Sequence, residues 1–195
     1  MDIFDFLKNE KMKTEKILAI LFIISILFKL LYWPGGSILM ILALLPLALI
    51  YFPLGFYFIN EKNVFKKELL KSIFFGWLLS TIPIGVLFKC MHWQGASFML
   101  IIGSITGFFL LIYSFILKQN SEENSLVFHN KLFLRTLILF GLSFLLYLIP
   151  TQQIIRINYL DDPKLGELYI RQYENLQDEN IKMEIEEYIH NKNTK

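Results

Sequence analysis

Charged residues make up only 18% of this sequence, and its first four long apolar stretches contain no Asp or Glu. Proton and sodium pathways through a membrane normally depend on a carboxylate that binds and releases the ion. The absence of one therefore argues against an ion-driven pathway through these four stretches. The formal net charge of only +2 also gives no basis for binding nucleic acid.

The sequence also lacks the residue patterns of common catalytic and cofactor sites. The single cysteine, Cys90, excludes an internal disulfide. No Ser-His-Asp set, phosphate-binding glycine loop or His-Glu-x-x-His signature is present. Cys90 and His92 are too few to hold a metal, and His129 and His190 stand far from them in the chain. We therefore expect a protein that is not an enzyme and binds no cofactor or metal.

Apolar residues make up 55% of the chain and aromatic residues 16%, more than a soluble domain of this length could bury. Five runs are long enough, as helices, to cross a hydrocarbon layer of ~30 Å. We predict an all-α fold, a polytopic membrane helix bundle of about five transmembrane helices with a C-terminal amphipathic helical tail. The predicted segments are a polar leader (1–15), a first hairpin (16–59), a basic loop (60–71), a second hairpin (72–117), a polar loop (118–131), a fifth helix (132–150) and an extramembrane tail (151–195).

The placement of basic residues predicts how the chain is oriented. Lysines occur in the leader and in both polar loops, whereas the two short turns inside the hairpins carry none. Loops rich in Lys and Arg remain on the cytoplasmic side of a membrane. We therefore expect a multi-pass protein of a bacterial inner (cell) membrane, with its N-terminus in the cytoplasm. Five spans then place the C-terminal tail in the periplasm.

One short motif occurs twice, each time at the turn between two apolar runs. It has the form Leu-Phe-Lys-x-x-x-Trp-x-Gly, followed by a small residue and Ser. Its two copies run from Leu27 to Ser37 and from Leu87 to Ser97. Because each predicted repeat contains two spans, both copies have the same orientation, which predicts two tandem parallel hairpin repeats. The candidate functional residues are Lys29, Trp33, Gly35, Lys89, His92, Trp93 and Gly95.

Lys29 and Lys89 allow two interpretations. Both could line one polar cavity, as in a channel or transporter. Alternatively, each could reach lipid headgroups or the carbonyl groups of the turns, since a lysine near the end of a span can extend to the interface. Trp33 and Trp93 would then be interfacial anchors. The lack of carboxylates in these spans favours the second interpretation.

Two further patterns predict packing. Gly103 and Gly107 have the Gly-xxx-Gly spacing that lets membrane helices approach closely. In the tail, Asp162 can cap a helix that begins at Pro163, and apolar residues recur at helical spacing. One long helix or a helical hairpin would both fit. The apolar stripe of the tail needs a partner: the tail itself, the membrane surface or another protein.

The repeated motif resembles the N-terminal transmembrane hairpin of GldL, the inner-membrane protein of the gliding-motility and type IX secretion motor. The resemblance covers about 20 residues in each copy, 27–47 and 87–107. In that family, two spans assemble with a partner as a proton-driven stator that uses a glutamate in the second span. That glutamate would fall near Leu47 and Gly107, where this chain has no acid. The resemblance therefore implies a shared hairpin structure without the carboxylate of the motor.

These features together favour a non-enzymatic scaffold or accessory subunit of an envelope complex. Its expected partners are the lipid bilayer and a membrane or periplasmic protein that contacts the C-terminal helix. The alternative is a channel or transporter with Lys29 and Lys89 lining a polar cavity. The sequence does not specify an oligomeric state.

Overall fold

The computed structural model describes residues 3–55 and 66–193, and the regular elements within these ranges are all helices, which confirms the all-α fold. The helices are α1 (Ile3–Leu30), α2 (Gly36–Pro46) with a π-helical continuation (Leu47–Tyr51), α3 (Lys66–Leu79), α4 (Thr81–Cys90), α5 (Ala96–Gln119), α6 (Glu123–Leu148), α7 (Thr151–Asn158), α8 (Pro163–Glu174) and α9 (Glu179–Asn193).

Within the described residues, three helical stretches are long and apolar enough to cross a membrane: Glu68–Cys90, Ala96–Gln119 and Ser125–Leu148. The first two predicted spans correspond to shorter apolar helices, Ile17–Leu30 and Gly36–Tyr51. The last residues of the predicted second span, 56–59, lie outside the described residues. The predicted third, fourth and fifth spans are therefore each long and apolar enough to cross a membrane.

Prolines explain where the apolar helices are irregular. A proline ring clashes with the carbonyl group four residues earlier and supplies no N–H. Four residues before Pro83 is Leu79, the last residue of α3, and α4 begins again at Thr81. Four residues before Pro53 is Leu49, inside the π-helical turn, where the Phe52 N–H bonds to the Leu47 carbonyl at 2.9 Å. The chain accommodates both prolines by local changes in helical hydrogen bonding.

The core of the bundle lies around α5, which packs against α3, α4 and α6. Gly103 and Gly107 are both buried, and a Cβ atom at Gly107 would lie 3.4 Å from the Phe140 Cβ atom on α6. The predicted seam between close-packed helices is therefore confirmed. Beside it, the Ser104 and Ser143 hydroxyl oxygens lie 2.7 and 2.8 Å from the Leu100 carbonyl oxygen, which accepts from them, and 3.1 Å from each other. Such polar contacts link membrane helices from within.

A second close contact joins α3 to the segment after α2. A Cβ atom built on Gly76 would lie 1.8 Å from the Phe52 carbonyl oxygen, so only glycine fits there. Gly55 has a φ of +69°, which favours glycine, and a Cβ atom built there would lie 2.8 Å from the Ile73 N atom and 2.9 Å from the Ser72 carbonyl carbon. These contacts pack the end of the first hairpin against the start of the second.

The outer faces of the long helices are apolar and exposed. On α5 the exposed residues recur at helical spacing: Phe98, Ile105, Phe109, Ile112 and Ile116. Large exposed apolar surfaces of this kind on helices long enough to span a membrane contact the lipid bilayer.

The tail forms a helical hairpin, one of the two predicted arrangements. Its helices α8 and α9 pack on each other through a small core of Leu168, Ile181 and Ile185. The tail itself therefore covers most of its apolar stripe, whereas Leu176 and Ile189 remain 40% and 36% exposed. The prediction that Asp162 caps the helix is confirmed, since its carboxylate accepts a hydrogen bond from the Leu165 N–H at 3.2 Å and Pro163 begins α8.

Two features differ from the predicted segments. The polar loop predicted at 118–131 is mostly helical, because α5 continues to Gln119 and α6 begins at Glu123. A separate short helix, α7, also precedes the predicted tail helix and contacts both α1 and α4. The first of these differences places His129 inside a helix instead of a loop.

Candidate functional site at the two turns

The first copy of the motif forms a specific helix ending. The Trp33 N–H bonds to the Phe28 carbonyl at 2.8 Å, and the Tyr32 N–H bonds to the Lys29 carbonyl at 3.3 Å. Tyr32 has a left-handed φ of +55°. These are the two hydrogen bonds and the left-handed residue of a Schellman motif. The hydrophobic contact that accompanies such a motif is made by Phe28 and Trp33, whose ring centroids are 5.3 Å apart.

The second copy repeats this geometry. The Trp93 N–H bonds to the Phe88 carbonyl at 2.8 Å, and the two rings are again 5.3 Å apart. His92 has a φ of +58°. In both copies the following glycine, Gly35 or Gly95, also has a positive φ and precedes the next helix. The motif residues Phe, Trp and Gly are therefore explained by the geometry of one helix ending and the next beginning.

Lys29 connects the two turns. Its Nζ atom donates a hydrogen bond of 2.7 Å to the carbonyl oxygen of Cys90, the last residue of α4. Cations near helix C-termini interact favourably with the unsatisfied carbonyl groups there. The side chain thus reaches a turn carbonyl, but the carbonyl belongs to the opposite copy of the motif.

Lys89, the equivalent lysine, has a different environment. Its residue is only 1% exposed, and it makes no hydrogen bond or ion pair within the described part of the chain. Lys29 is half-buried by comparison. The two lysines are therefore equivalent in sequence position but not in contacts.

His92 connects the second turn to α7. Its Nε2 atom lies 3.0 Å from the Asn158 Nδ2 atom, which also lies 3.5 Å from the Cys90 carbonyl oxygen. Since the amide N–H donates, Nε2 accepts and the proton is on Nδ1. Burial, followed by the nearby positive charge of Lys29, lowers the pKa of His92 to about 4. The imidazole is therefore neutral at pH 7.

A cleft of about 350 Å³ lies between the first turn, the second turn and the tail. We call it the turn cleft. Of the predicted functional residues, it is lined by Lys29, Trp33, Gly35 and His92, and the predicted residues Lys89, Trp93 and Gly95 are not part of its lining. The tail contributes residues that the sequence did not assign to a site: Asn158, Tyr159, Asp161, Asp162, Leu165 and Lys192.

The charged residues of the tail at this cleft are partly paired with each other. Lys192 Nζ lies 2.7 Å from Asp162 Oδ2, while the Tyr188 hydroxyl donates to Asp162 Oδ1 at 3.0 Å. Burial acts to raise the pKa of Asp162, but hydrogen bonds from Lys192, Leu165 and Tyr188 outweigh it and lower that pKa below its usual value. Asp162 is therefore ionised and joins α8 to α9.

A second polar cluster lies at the other end of the bundle, where sequence reasoning placed only loops. Glu68 accepts from Lys71 at 3.1 Å and lies 3.2 Å from His129 Nε2. The other ring nitrogen of His129 contacts the Ser121 hydroxyl. Glu68 and His129 are 8% and 4% exposed, so this is a buried ion-paired cluster. The residues are 61 positions apart, and no local pattern indicates their contact.

The described residues contain no group of three or more His, Cys, Asp or Glu arranged to hold a metal ion. Cys90 and His92 are two positions apart in the chain, and neither His129 nor His190 forms such a group with them. What the turns provide is a polar cleft next to apolar helices, with charged side chains on its walls.

The fold defines a helical membrane protein with two charged sites, the turn cleft and the cluster around Glu68, at the two ends of its apolar bundle. Residues 74–130 match the family model of the GldL N-terminal domain, which confirms the predicted resemblance to GldL for that part of the chain. The match contains the second copy of the motif and runs from α3 into α6. Neither a curated protein nor a solved structure matches the chain.

Proposed function

We propose that this protein is a non-enzymatic subunit of a membrane complex of the gliding-motility or secretion type, in which its bundle anchors a tail that binds another protein. The observation that carries this proposal is the match of residues 74–130 to the GldL N-terminal domain. The proposal includes a bacterial inner membrane as its location, with the N-terminus in the cytoplasm and the tail in the periplasm. It also treats the first copy of the motif as a second, related hairpin.

The surface of the tail supports binding of a protein partner. Leu168, Ile181 and Ile185 face inward between α8 and α9. The outer surface carries charged side chains together with the exposed apolar residues Leu176, Met183 and Ile189. From residue 151 onward the chain has nine Asp or Glu and six Lys or Arg. Glu179, Glu186 and Glu187 on α9 are all exposed. A partner with a basic surface would fit this tail, because complementary charge favours association.

The contacts of the charged residues at the two ends of the bundle support a role that does not include ion transport. Lys29 is engaged with the Cys90 carbonyl and lines the turn cleft, whereas Lys89 does not line it. Glu68 lies at the end of a candidate span and is ion-paired with Lys71. These contacts favour a structural role for the charged residues near the spans.

Site-specific photocrosslinking in native membranes tests the proposal. A crosslinking amino acid at exposed Met183 or Glu186 should attach the tail to a second protein. The same amino acid at Ile185, which is 5% exposed within the hairpin core, provides the matched control and should give no such product. If the two exposed positions give no crosslink to another protein, the proposed function is wrong.

A further inference from the structure

The turn cleft is lined by charges of both signs, with Lys29 contributed by α1 and Asp161, Asp162 and Lys192 contributed by the tail. Lys29 and Lys192 contribute two cations, and Asp161 and Asp162 contribute two carboxylates. Since Lys192 and Asp162 form an ion pair with each other, Lys29 and Asp161 remain as the charged groups available to a ligand. The cleft therefore matches a ligand that has one negative and one positive group and no net charge.

The cationic wall has further donors for an anionic group. An ammonium group has three N–H donors, and Lys29 uses one of them on the Cys90 carbonyl. Gly35, Gly36 and Ser37 lie on the same wall at the start of α2, where no side chain caps the helix. The first N–H groups of a helix lack intrahelical partners and favour anions such as phosphate. Lys29 and these N–H groups together suit a phosphate.

The carboxylate wall suits an ammonium group. Asp161 is exposed, lines the turn cleft and makes no hydrogen bond within the described residues. Its carboxylate has acceptor oxygens for the N–H donors of a primary amine. A primary amine donates hydrogen bonds that a quaternary ammonium group cannot donate, so the two can be distinguished by experiment.

The surroundings of the cleft favour a lipid as the source of this chemistry. Trp33, on the cleft wall, is 57% exposed, and tryptophan is enriched where a membrane meets water. Leu31 and Ile38, next to cleft-lining residues in sequence, are 53% and 64% exposed. Acyl chains could therefore lie along apolar surface directly beside the cleft. A volume of about 350 Å³ is also within the usual range for ligand pockets, ~300–1,000 Å³.

We propose that the turn cleft binds the headgroup of an aminophospholipid with a primary amine, the phosphate at Lys29 and the ammonium group at Asp161. The proposal concerns a lipid bound at one place, distinct from the general contact of the bundle with the bilayer. It does not depend on which protein the tail binds.

Native mass spectrometry of the full chain in detergent tests this assignment with phosphatidylethanolamine, phosphatidylcholine and phosphatidylglycerol as probes. We expect phosphatidylethanolamine to bind about tenfold more tightly than phosphatidylcholine, the difference expected from one charge-assisted hydrogen bond. Equal binding of all three lipids would overturn the proposal, because it would indicate only general association with the apolar surface.

Two variants and their matched controls locate the site. Asp161→Asn should reduce the ratio of the affinities for phosphatidylethanolamine and phosphatidylcholine to about one. Glu167→Gln, at an exposed position outside the cleft lining, should leave that ratio unchanged. Lys29→Gln should weaken the binding of phosphatidylethanolamine about tenfold. Lys182→Gln, at an exposed position on α9, should leave that binding unchanged. An unchanged preference in Asp161→Asn would overturn the proposal even if Lys29→Gln affected folding.

Competition by free phosphoethanolamine distinguishes the lipid from a soluble source of the same chemistry. We expect it to displace phosphatidylethanolamine only at a large excess, because it lacks the acyl chains that contact the apolar surface beside the cleft. Displacement at equal concentration would overturn the lipid assignment and assign the turn cleft to a soluble zwitterion.

Discussion

The ammonium group of Lys29 lies 2.7 Å from the carbonyl oxygen of Cys90, 61 residues later in the chain. This contact joins the end of α1 to the end of α4 and brings the two turns to the same end of the bundle. Each turn is closed by its own phenylalanine and tryptophan. The tail then contacts both turns. Asn158 approaches Cys90 and His92 of the second turn. The Tyr32 hydroxyl of the first turn donates to the Ile157 carbonyl of α7.

The two lysines of the motif should respond differently to replacement by methionine. Lys29→Met removes a charged hydrogen bond to a helix end and should destabilise the protein by on the order of 2 kcal/mol. Lys89→Met should be neutral or stabilising, because Lys89 is buried without a partner among the described residues and methionine keeps most of its apolar volume. Thermal unfolding in detergent measures both. Equal destabilisation by the two substitutions would contradict this assignment.

Replacing Gly76 should disrupt the contact between the two hairpins. In Gly76→Ala the new Cβ atom would lie 1.8 Å from the Phe52 carbonyl oxygen, so the backbone would have to move. We expect a loss of roughly 3 kcal/mol or more, above the usual range for overpacking. Gly141→Ala is the matched control, since nothing lies within 4 Å of its added Cβ atom. In helix α6 this control should be neutral or stabilising by up to ~1 kcal/mol, as measured by unfolding in detergent.

The histidine of the second turn should make stability depend on pH. The folded pKa of His92 is about 4, below the value of 6.5 for an unperturbed histidine. Its contribution to stability is therefore complete above about pH 6.5 and decreases as pH falls towards 4, because the unfolded chain binds the proton first. We expect the melting temperature of the wild type to fall across this window.

His92→Asn is the variant that isolates this effect. Asparagine tolerates the left-handed backbone at this position and does not titrate. The melting temperature of His92→Asn should thus vary less between pH 6.5 and pH 4 than that of the wild type. An identical pH dependence in the two proteins would show that His92 is not the responsible group.

The tail hairpin should depend on Asp162. Asp162→Ala removes the helix cap of α8 and the acceptor of Tyr188 and Lys192 on α9. Loss of a cap and of buried hydrogen bonds should destabilise the hairpin by about 2 kcal/mol. Limited proteolysis of the tail should then become faster, whereas Glu167→Ala, at an exposed position on α8, should leave it unchanged. Equal rates of tail proteolysis in Asp162→Ala and the wild type would contradict this role of the Asp162 carboxylate.

Sequence patterns identified the helices, the glycine seam, the cap at Asp162 and the GldL-related hairpin, because each depends on residues close together in the chain. The Schellman motifs were missed because their left-handed positions hold Tyr32 and His92, whereas glycine is the usual signal. The cluster of Glu68 and His129 depends on contacts between distant residues. The start of α6 at Glu123 was missed because the first residues of this helix are polar, and a prediction based on apolar runs assigns polar residues to a loop.

The size of the complex released from native membranes tests the central claim most directly. A tagged full chain, extracted in mild detergent and separated on a native gel, should migrate with a second protein, which mass spectrometry would identify. Replacing exposed Glu186 and Glu187 by lysine should weaken that association, because it reverses the charge of this surface. Lys182→Arg, at another exposed position of α9, keeps the charge and should preserve the association. Migration of the wild-type chain alone or only with copies of itself would contradict a role as a subunit of a larger membrane complex.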